Sequence, residues 1–396
     1  MGKKFRTHKV DSSSDSLADI ARDSAETVII NPHREGPGVF LPSEAKIRQK
    51  YESLGGEATS GPSVETHLGK MWRFANAAIV YDQGTDAAYE IHGAIYECWM
   101  EAGGLKYGTP TTDEMPTSDG VGRFNHFNGG TASIYWSPQT GAHTIYGDIR
   151  RRWAALGWER SYLGYPISNE VPFADGGRAN EFQHGGIYCW PDTGPIDLRD
   201  VKVRYTGLHC FGETDWDQGS DSDEPYVIFA LTTPEHAWAT TSRVYQDVDA
   251  GEQRPDSLEL YEGRPYGLNI GIALMERDFG DPDRYRERVL KVVQGVHEAG
   301  RVALGLIPIV GPVIADKVGS ALGELMPSVG QALSDTFNWG DDRVGSATVT
   351  VGARELVLLA TRGSSHANGS IAFKIESPLV AGLGASYKVY FDVQPA

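Results

Sequence analysis

The sequence predicts a mixed, mainly β chain: small α+β repeats followed by an antiparallel β-sandwich with a helical insertion. Three observations point there. An element of about fifty residues recurs in the N-terminal half, the signal of a repeat array. From Val201 onward, short runs rich in β-branched and aromatic residues are separated by turn residues. Between two of those runs, at about 283–339, lies a long stretch of helical periodicity.

A chain of 396 residues suggests more than one domain. Hydrophobic content of 40% and aromatic content of 10% are those of a globular protein. Fifty-three acids against 36 Lys plus Arg give a formal net charge of −17. A general nucleic-acid binder needs a basic stripe to displace counterions, so that class of partner is not expected. The three cysteines, Cys98, Cys189 and Cys210, cannot form a fully paired framework and read as buried free thiols. The basic start MGKKFRTHKV is followed by no apolar run and does not read as a secretory signal peptide. An extracellular or surface role therefore implies export by another route, with the protein cytoplasmic before release.

Residues 1–42 are polar and read as a tail. Three copies of the repeat follow, at 43–90, 91–144 and 145–198, with the first the weakest. Ile47, Ile95 and Ile149 align, as do Pro62, Pro110 and Pro166, and then Tyr81, Tyr135 and Tyr188. Each unit has a short amphipathic helix, such as Asp148–Leu156, and a Gly/Pro turn. An acid follows (Glu65, Glu114, Glu170), then a GG turn and a short aromatic strand. Gly129–Gly130 and Gly185–Gly186 suit turn positions with positive φ.

The sequences LGYP at 163–166, FNGGTASIYWSPQTGAH at 127–143 and FQHGGIYCWPDTGP at 182–195 carry a resemblance. The array is similar to the LGFP repeat, a module of actinobacterial cell-surface proteins. That resemblance implies anchoring to cell-wall glycan. The residues allow the same idea: Tyr135, Trp136, His143, Tyr188 and Trp190 could stack on sugar faces and hydrogen-bond hydroxyls. For the rings inside each strand, a core role is the stronger expectation.

In the second half, VKVRYTGLHCF, EPYVIFALTT, WATTSRVYQDV, SLELYEG, GLNIGIALMERD, GSATVTV, ELVLLATR, SIAFKIES and YKVYFDV read as strands. SDSDEPYV at 220–227, with ERD at 276–278 and GDDRVGSATVTV at 340–351, resembles the acidic loops of a C2-like sandwich over 199–396. Crowded carboxylates need a cation to offset their repulsion, and Ca²⁺ takes six to eight oxygens. The expected Ca²⁺ ligands are Asp215, Asp217, Asp221, Asp223, Glu276, Asp278, Asp341 and Asp342. An EF-hand frame fits less well, because Gln218 stands where Gly is required. A solvated acidic turn is the plain alternative.

VALGLIPIVGPVIA at 302–315 carries no charge but is short of the ~20 residues of a membrane span. The expectation is a helical hairpin packed on the sandwich; insertion of 300–339 into lipid is the sharper alternative. No GxSxG, HExxH, P-loop or dinucleotide motif occurs, so no enzyme is expected. Together these give a non-enzymatic bacterial surface protein that binds cell-wall or surface glycan. It has a calcium-dependent sandwich and a membrane-active toxin or effector role in view. The alternatives are a structural wall anchor or adhesin, and a wall hydrolase targeted by its repeats.

Overall fold

A computed structural model describes residues 42–56, 70–173, 175–213, 223–277, 281–303 and 343–396. The N-terminal tail, Pro62 and Glu65 lie outside them. So do residues 304–339 of the expected hairpin, with the membrane and toxin readings built on it. The described residues are mainly β, and their contacts fall into two compact units. One runs to Glu170 and includes Asn180–Ile187; the other comprises Val171–Ala179 and Tyr188–Ala396.

The repeat array opens with helix α1 (Pro42–Ser53), whose Ile47 and Tyr51 are buried. Strands β1 (Met71–Phe74), β2 (Ala77–Asp82) and β3 (Ala87–His92) then form an antiparallel meander. Helix α2 (Gly93–Glu101) leads to a second meander of β4 (Met115–Pro116), β5 (Arg123–Phe127), β6 (Ala132–Ser137) and β7 (Gly141–Tyr146). Helix α3 (Gly147–Leu156) leads to a third, of β8 (Val171–Pro172), β9 (Arg178–Phe182), β10 (Gly185–Trp190) and β11 (Gly194–Leu198).

The aligned isoleucines explain why short helices suffice. Ile47, Ile95 and Ile149 are 0–2% exposed, and Trp99 and Trp153 sit one helical turn beyond the latter two, fully buried. Each helix thus buries one apolar stripe and turns its charges outward, except for the buried Arg150 of α3. Helix α3 stops at Gly157, whose left-handed φ of 102° lets its N–H close back on the Trp153 and Ala154 carbonyls. Gly129 and Gly130 make the expected turn with φ of 64° and 86°. Gly185 has the expected positive φ, 156°, but with Gly186 it opens β10, the turn itself falling at Gln183 and His184.

The C-terminal unit is a sandwich of two antiparallel sheets. One holds β12 (Val201–Gly212), flanked by β15 (Gln253–Gly263) and β22 (Ala385–Pro395), with β20 (Ile375–Glu376) and β21 (Val380–Gly382) beyond. The other has the order β14 (Ala237–Thr241), β13 (Pro225–Thr232), β16 (Gly267–Glu276), β17 (Arg343–Gly352). Val203, Tyr205 and Leu208 of β12 and Tyr387, Val389 and Phe391 of β22 share one core with residues of the facing sheet. These are Val227, Phe229 and Leu231 of β13 and Ile270, Ile272 and Leu274 of β16.

Both β13 and β16 are buried at every residue. Helix α4 (Pro282–Ala303) is the reason. Its Tyr285, Val289, Val293 and Val296 recur at helical spacing and cover Tyr226, Ile228 and Ala230 of β13 with Ala273 and Met275 of β16. A strand covered on both faces reads as an uninterrupted apolar run, which is how PYVIFALT looks. His297 ties the helix to the turn just after β13, its Nε2 donating to the Thr233 carbonyl at 3.1 Å. Val293→Ala is expected to lower stability by about 2 kcal/mol. Hydrogen exchange should rise first in α4; equal loosening of all strands would count against local docking.

One expected strand is a helix. ELVLLATR lies in α5 (Ala353–Thr361), where Leu356, Val357 and Ala360 are buried. The run is short, and its Leu, Ala, Glu and Arg are strong helix formers, so apolar content alone could not separate the two forms. A small hairpin, β18 (His366–Asn368) with β19 (Ile371–Phe373), follows. Cys98, Cys189 and Cys210 are buried free thiols.

Candidate functional site

Successive repeats in the first unit are joined through buried polar side chains, and the same joint occurs twice. Asn125 donates from Nδ2 to the Glu90 carbonyl of β3 and the Thr112 carbonyl, each at 3.0 Å. Asn180 does likewise to the Thr144 carbonyl of β7 and the Ser168 carbonyl, also at 3.0 Å. Asp113 accepts from the Glu90 N–H at 3.0 Å, and Asn169 from the Thr144 N–H at 2.9 Å. An edge strand that would otherwise end with unpaired backbone is thereby finished by the following loop.

At the first joint this arrangement gathers charge. Glu90 and His92 are alternate residues of β3 and so share one face. The loop before β4 brings Glu114 beside them, and its backbone N–H donates to Glu90 Oε1 at 3.2 Å. His92 Nδ1 lies 2.8 Å from Glu90 Oε2, and His92 Nε2 lies 3.5 Å from Glu114 Oε1. Arg123, at the start of β5, has its Nε 3.9 Å from the same Glu114 oxygen. The half-buried Trp136 of β6 completes a shallow cleft with His92, Gly93, Ala94, Ile95, Glu114 and Arg123. The Glu90 and Glu114 side chains are each 8% exposed and Arg123 is 33% exposed, so Glu114 forms the floor, the guanidinium the rim, and Glu90 stands behind His92.

Burial pushes the Glu114 carboxyl up to about 7, with the Glu90 charge adding to the rise and His92 and Arg123 opposing it. Burial alone would lower His92. The hydrogen bond with Glu90 and the charges of Glu114 and Glu90 outweigh that and hold the imidazole above its ordinary value. The cleft therefore offers a hydrogen-bond donor or acceptor at Glu114 near neutral pH, a guanidinium donor and an indole surface.

Of the five aromatic and histidine candidates for sugar contact, Tyr135, Tyr188 and Trp190 are buried to 3%, 0% and 2% exposure. Tyr135 packs against Trp153 and Trp158. Trp190 stacks on Phe173 and donates from Nε1 to Asp175 at 2.9 Å. These rings are committed to the core. Trp136 and His143 keep partial exposure; His143 donates from Nε2 to the Thr140 carbonyl of its own turn at 2.8 Å. Sequence reading marked Glu114 as the acid of its repeat but not Glu90, His92 or Arg123. The available signal was a difference between copies: Thr144 and Tyr146 stand where the first joint has Glu90 and His92.

A serine–histidine pair also occurs in this unit. Ser133 Oγ lies 2.7 Å from His126 Nδ1, but Ser133 is fully buried and Arg150 Nε donates to its hydroxyl at 2.6 Å. Burial, with the Arg150 charge, pushes His126 down to about 4. Arg150 in turn lies over the Trp158 ring at 4.9 Å. The pair is part of a buried polar network.

Of the eight expected Ca²⁺ ligands, Asp215, Asp217, Asp221, Asp278, Asp341 and Asp342 lie outside the described residues. Asp223 is 3% exposed and accepts the Tyr387 hydroxyl at 2.6 Å. Glu276, 7% exposed, accepts the Glu224 N–H. Among the described residues, no three acids, histidines or cysteines are grouped as a metal site.

The joints, meanders and aligned helices make the array a tandem repeat, and the family comparison gives the repeat its class. Residues 108–161 and 163–204 match the LGFP repeat. Each matched LGFP segment runs from the Gly/Pro turn through a complete four-stranded meander. LGFP repeats are typical of cell-surface and cell-wall proteins. The first meander, β1–β3, lies ahead of the matched segments and has three strands where they have four. No curated protein matches the chain. Among the described residues, no helix is long and apolar enough to cross a membrane.

Proposed function

We propose that this protein is a non-enzymatic, cell-wall-associated binding protein whose LGFP array recognises wall or surface glycan. The match of two consecutive segments to the LGFP repeat carries the reading. Tandem units joined by buried hydrogen bonds suit the task, because a rigid array can present several weak contacts at once. The test is sedimentation of the purified protein with actinobacterial cell walls. Retention in the pellet, reversed by solubilised wall polysaccharide, is the expected result. Protein that stays in the supernatant at every wall concentration rules this reading out.

A calcium-binding role for the sandwich is supported by strand register. Pro225 pairs with Glu276, and Met275 pairs with Arg343. The start of β13, the end of β16 and the start of β17 therefore lie at one end of one sheet. The acidic segments before Pro225, after Glu276 and before Arg343 all meet the sheet there. Excess Ca²⁺ is expected to raise the melting temperature of the chain relative to chelator, through preferential binding to the folded state. Identical melting in the two conditions removes calcium from the account.

A further inference from the structure

We infer that the cleft lined by His92, Glu114, Arg123 and Trp136, with Glu90 holding the imidazole, is a subsite for a neutral sugar unit, reading a pair of adjacent hydroxyls. The inference rests on the glycan-binding reading above and assigns it a place. Three observations carry it.

The first is charge balance. Two carboxylates face one guanidinium and one imidazole within 4 Å contacts. The cleft is therefore a poor trap for a strongly cationic or anionic group, which would find its own sign repeated there. The second is the alternation of donors and acceptors. Glu114 is fixed at the floor beside His92, and Arg123 stands at the rim beside the same Glu114 oxygen. Each hydroxyl of a diol both donates and accepts. A carboxylate beside a guanidinium satisfies such a pair, while an isolated carboxylate satisfies only its donors. The third is Trp136, half-buried on β6, which offers an indole surface to the apolar C–H face of a pyranose or furanose. The cleft is shallow, so it would engage one edge of a sugar.

The site belongs to this joint by composition. At the next joint Thr144 and Tyr146 replace Glu90 and His92. The carboxylate that holds the imidazole is missing there, as is the imidazole itself. The array thus carries two joints of one architecture and unequal chemistry.

The test uses the full chain, titrated with methyl galactoside, methyl glucoside and methyl arabinofuranoside. Binding is followed by the Trp136 indole N–H resonance, assigned by its loss in Trp136→Phe. In parallel, retention on actinobacterial walls is measured for the wild type, Glu114→Gln, Trp136→Phe and the surface control Arg151→Ala. Glu114→Gln keeps the shape and removes the charged acceptor, so affinity for the preferred glycoside is expected to fall about tenfold or more. Arg151→Ala should bind as the wild type does. Thermal midpoints at or above that of the wild type exclude loss of folding as the cause. If walls retain Glu114→Gln and Trp136→Phe as well as the wild type, the cleft is not the subsite, and the array binds glycan elsewhere. If the wild type is not retained by walls at all, both the subsite and the glycan reading fall. A charged sugar bound in preference to all three neutral glycosides overturns the ligand class.

Discussion

Trp153→Ala is expected to cost about 3–5 kcal/mol of stability and to lower the unfolding midpoint of the repeat unit by roughly 10 °C. Trp153 is fully buried on α3, at the centre of an aromatic cluster. Its ring meets Tyr135 edge-on at 4.6 Å, Trp158 edge-on at 5.2 Å and Phe182 at 5.4 Å. Such pairs add stabilisation beyond buried area, and truncation leaves a cavity that rigid neighbouring rings cannot fill. The corresponding Trp99 on α2 is equally buried but differs in one bond: its Nε1 donates to the Gly108 carbonyl at 2.9 Å. Trp153 Nε1 has no acceptor among the described residues. Phenylalanine should therefore be tolerated better at 153 than at 99, where it strands a buried carbonyl. Denaturant titration of Trp153→Ala, Trp153→Phe and Trp99→Phe decides the matter. A Trp153→Ala loss below about 1 kcal/mol would show that the cluster is loosely packed.

The second large effect is a dependence of stability on pH with an unusual sign. Glu114 titrates at about 7 in the folded chain against an ordinary value of 4.5. The folded state thus holds this proton more tightly than the unfolded state does. The stabilisation is complete below pH 4.5 and is lost as pH rises through 7. His92, also raised, acts in the same direction: its contribution is complete below 6.5 and disappears as pH climbs through the folded value. The repeat unit should accordingly be more stable at pH 5 than at pH 8. Glu114→Gln should remove most of that slope and raise stability at pH 8 by on the order of 3 kcal/mol. Chemical denaturation at pH 5, 6, 7 and 8 gives the answer. A flat wild-type profile would mean that Glu114 ionises without penalty.

Periodicity made the repeat helices legible. Ile47, Ile95 and Ile149 fall on buried helical stripes because a helix must hide one face wherever it packs. The acidic segments were legible as composition, and strand register brings their attachment points to one end of the sandwich. The charged cleft was not legible. Its members come from β3, from the loop before β4 and from the next meander, and nothing local in EIH announces what will dock on it. Likewise the continuous apolar runs of β13 and β16 said only that both faces would be covered. That α4 covers one of them is a tertiary fact. The helix at ELVLLATR shows the same limit at short range: eight residues of apolar and helix-forming character do not choose their own conformation.

The core of the C-terminal unit has a consequence for how the gene could be cut or shuffled. Phe173, Tyr188, Trp190, Ile196 and Leu198 of the third meander belong to the same buried cluster as Val201, Phe229 and Phe391 of the sandwich. A fragment beginning at Arg199 would inherit the sandwich with those side chains stripped from its interior. Recombination at the apparent end of the repeats would therefore yield a domain that aggregates. The sandwich keeps its interior only in a piece that also carries Phe173, Tyr188, Trp190, Ile196 and Leu198 of the third meander.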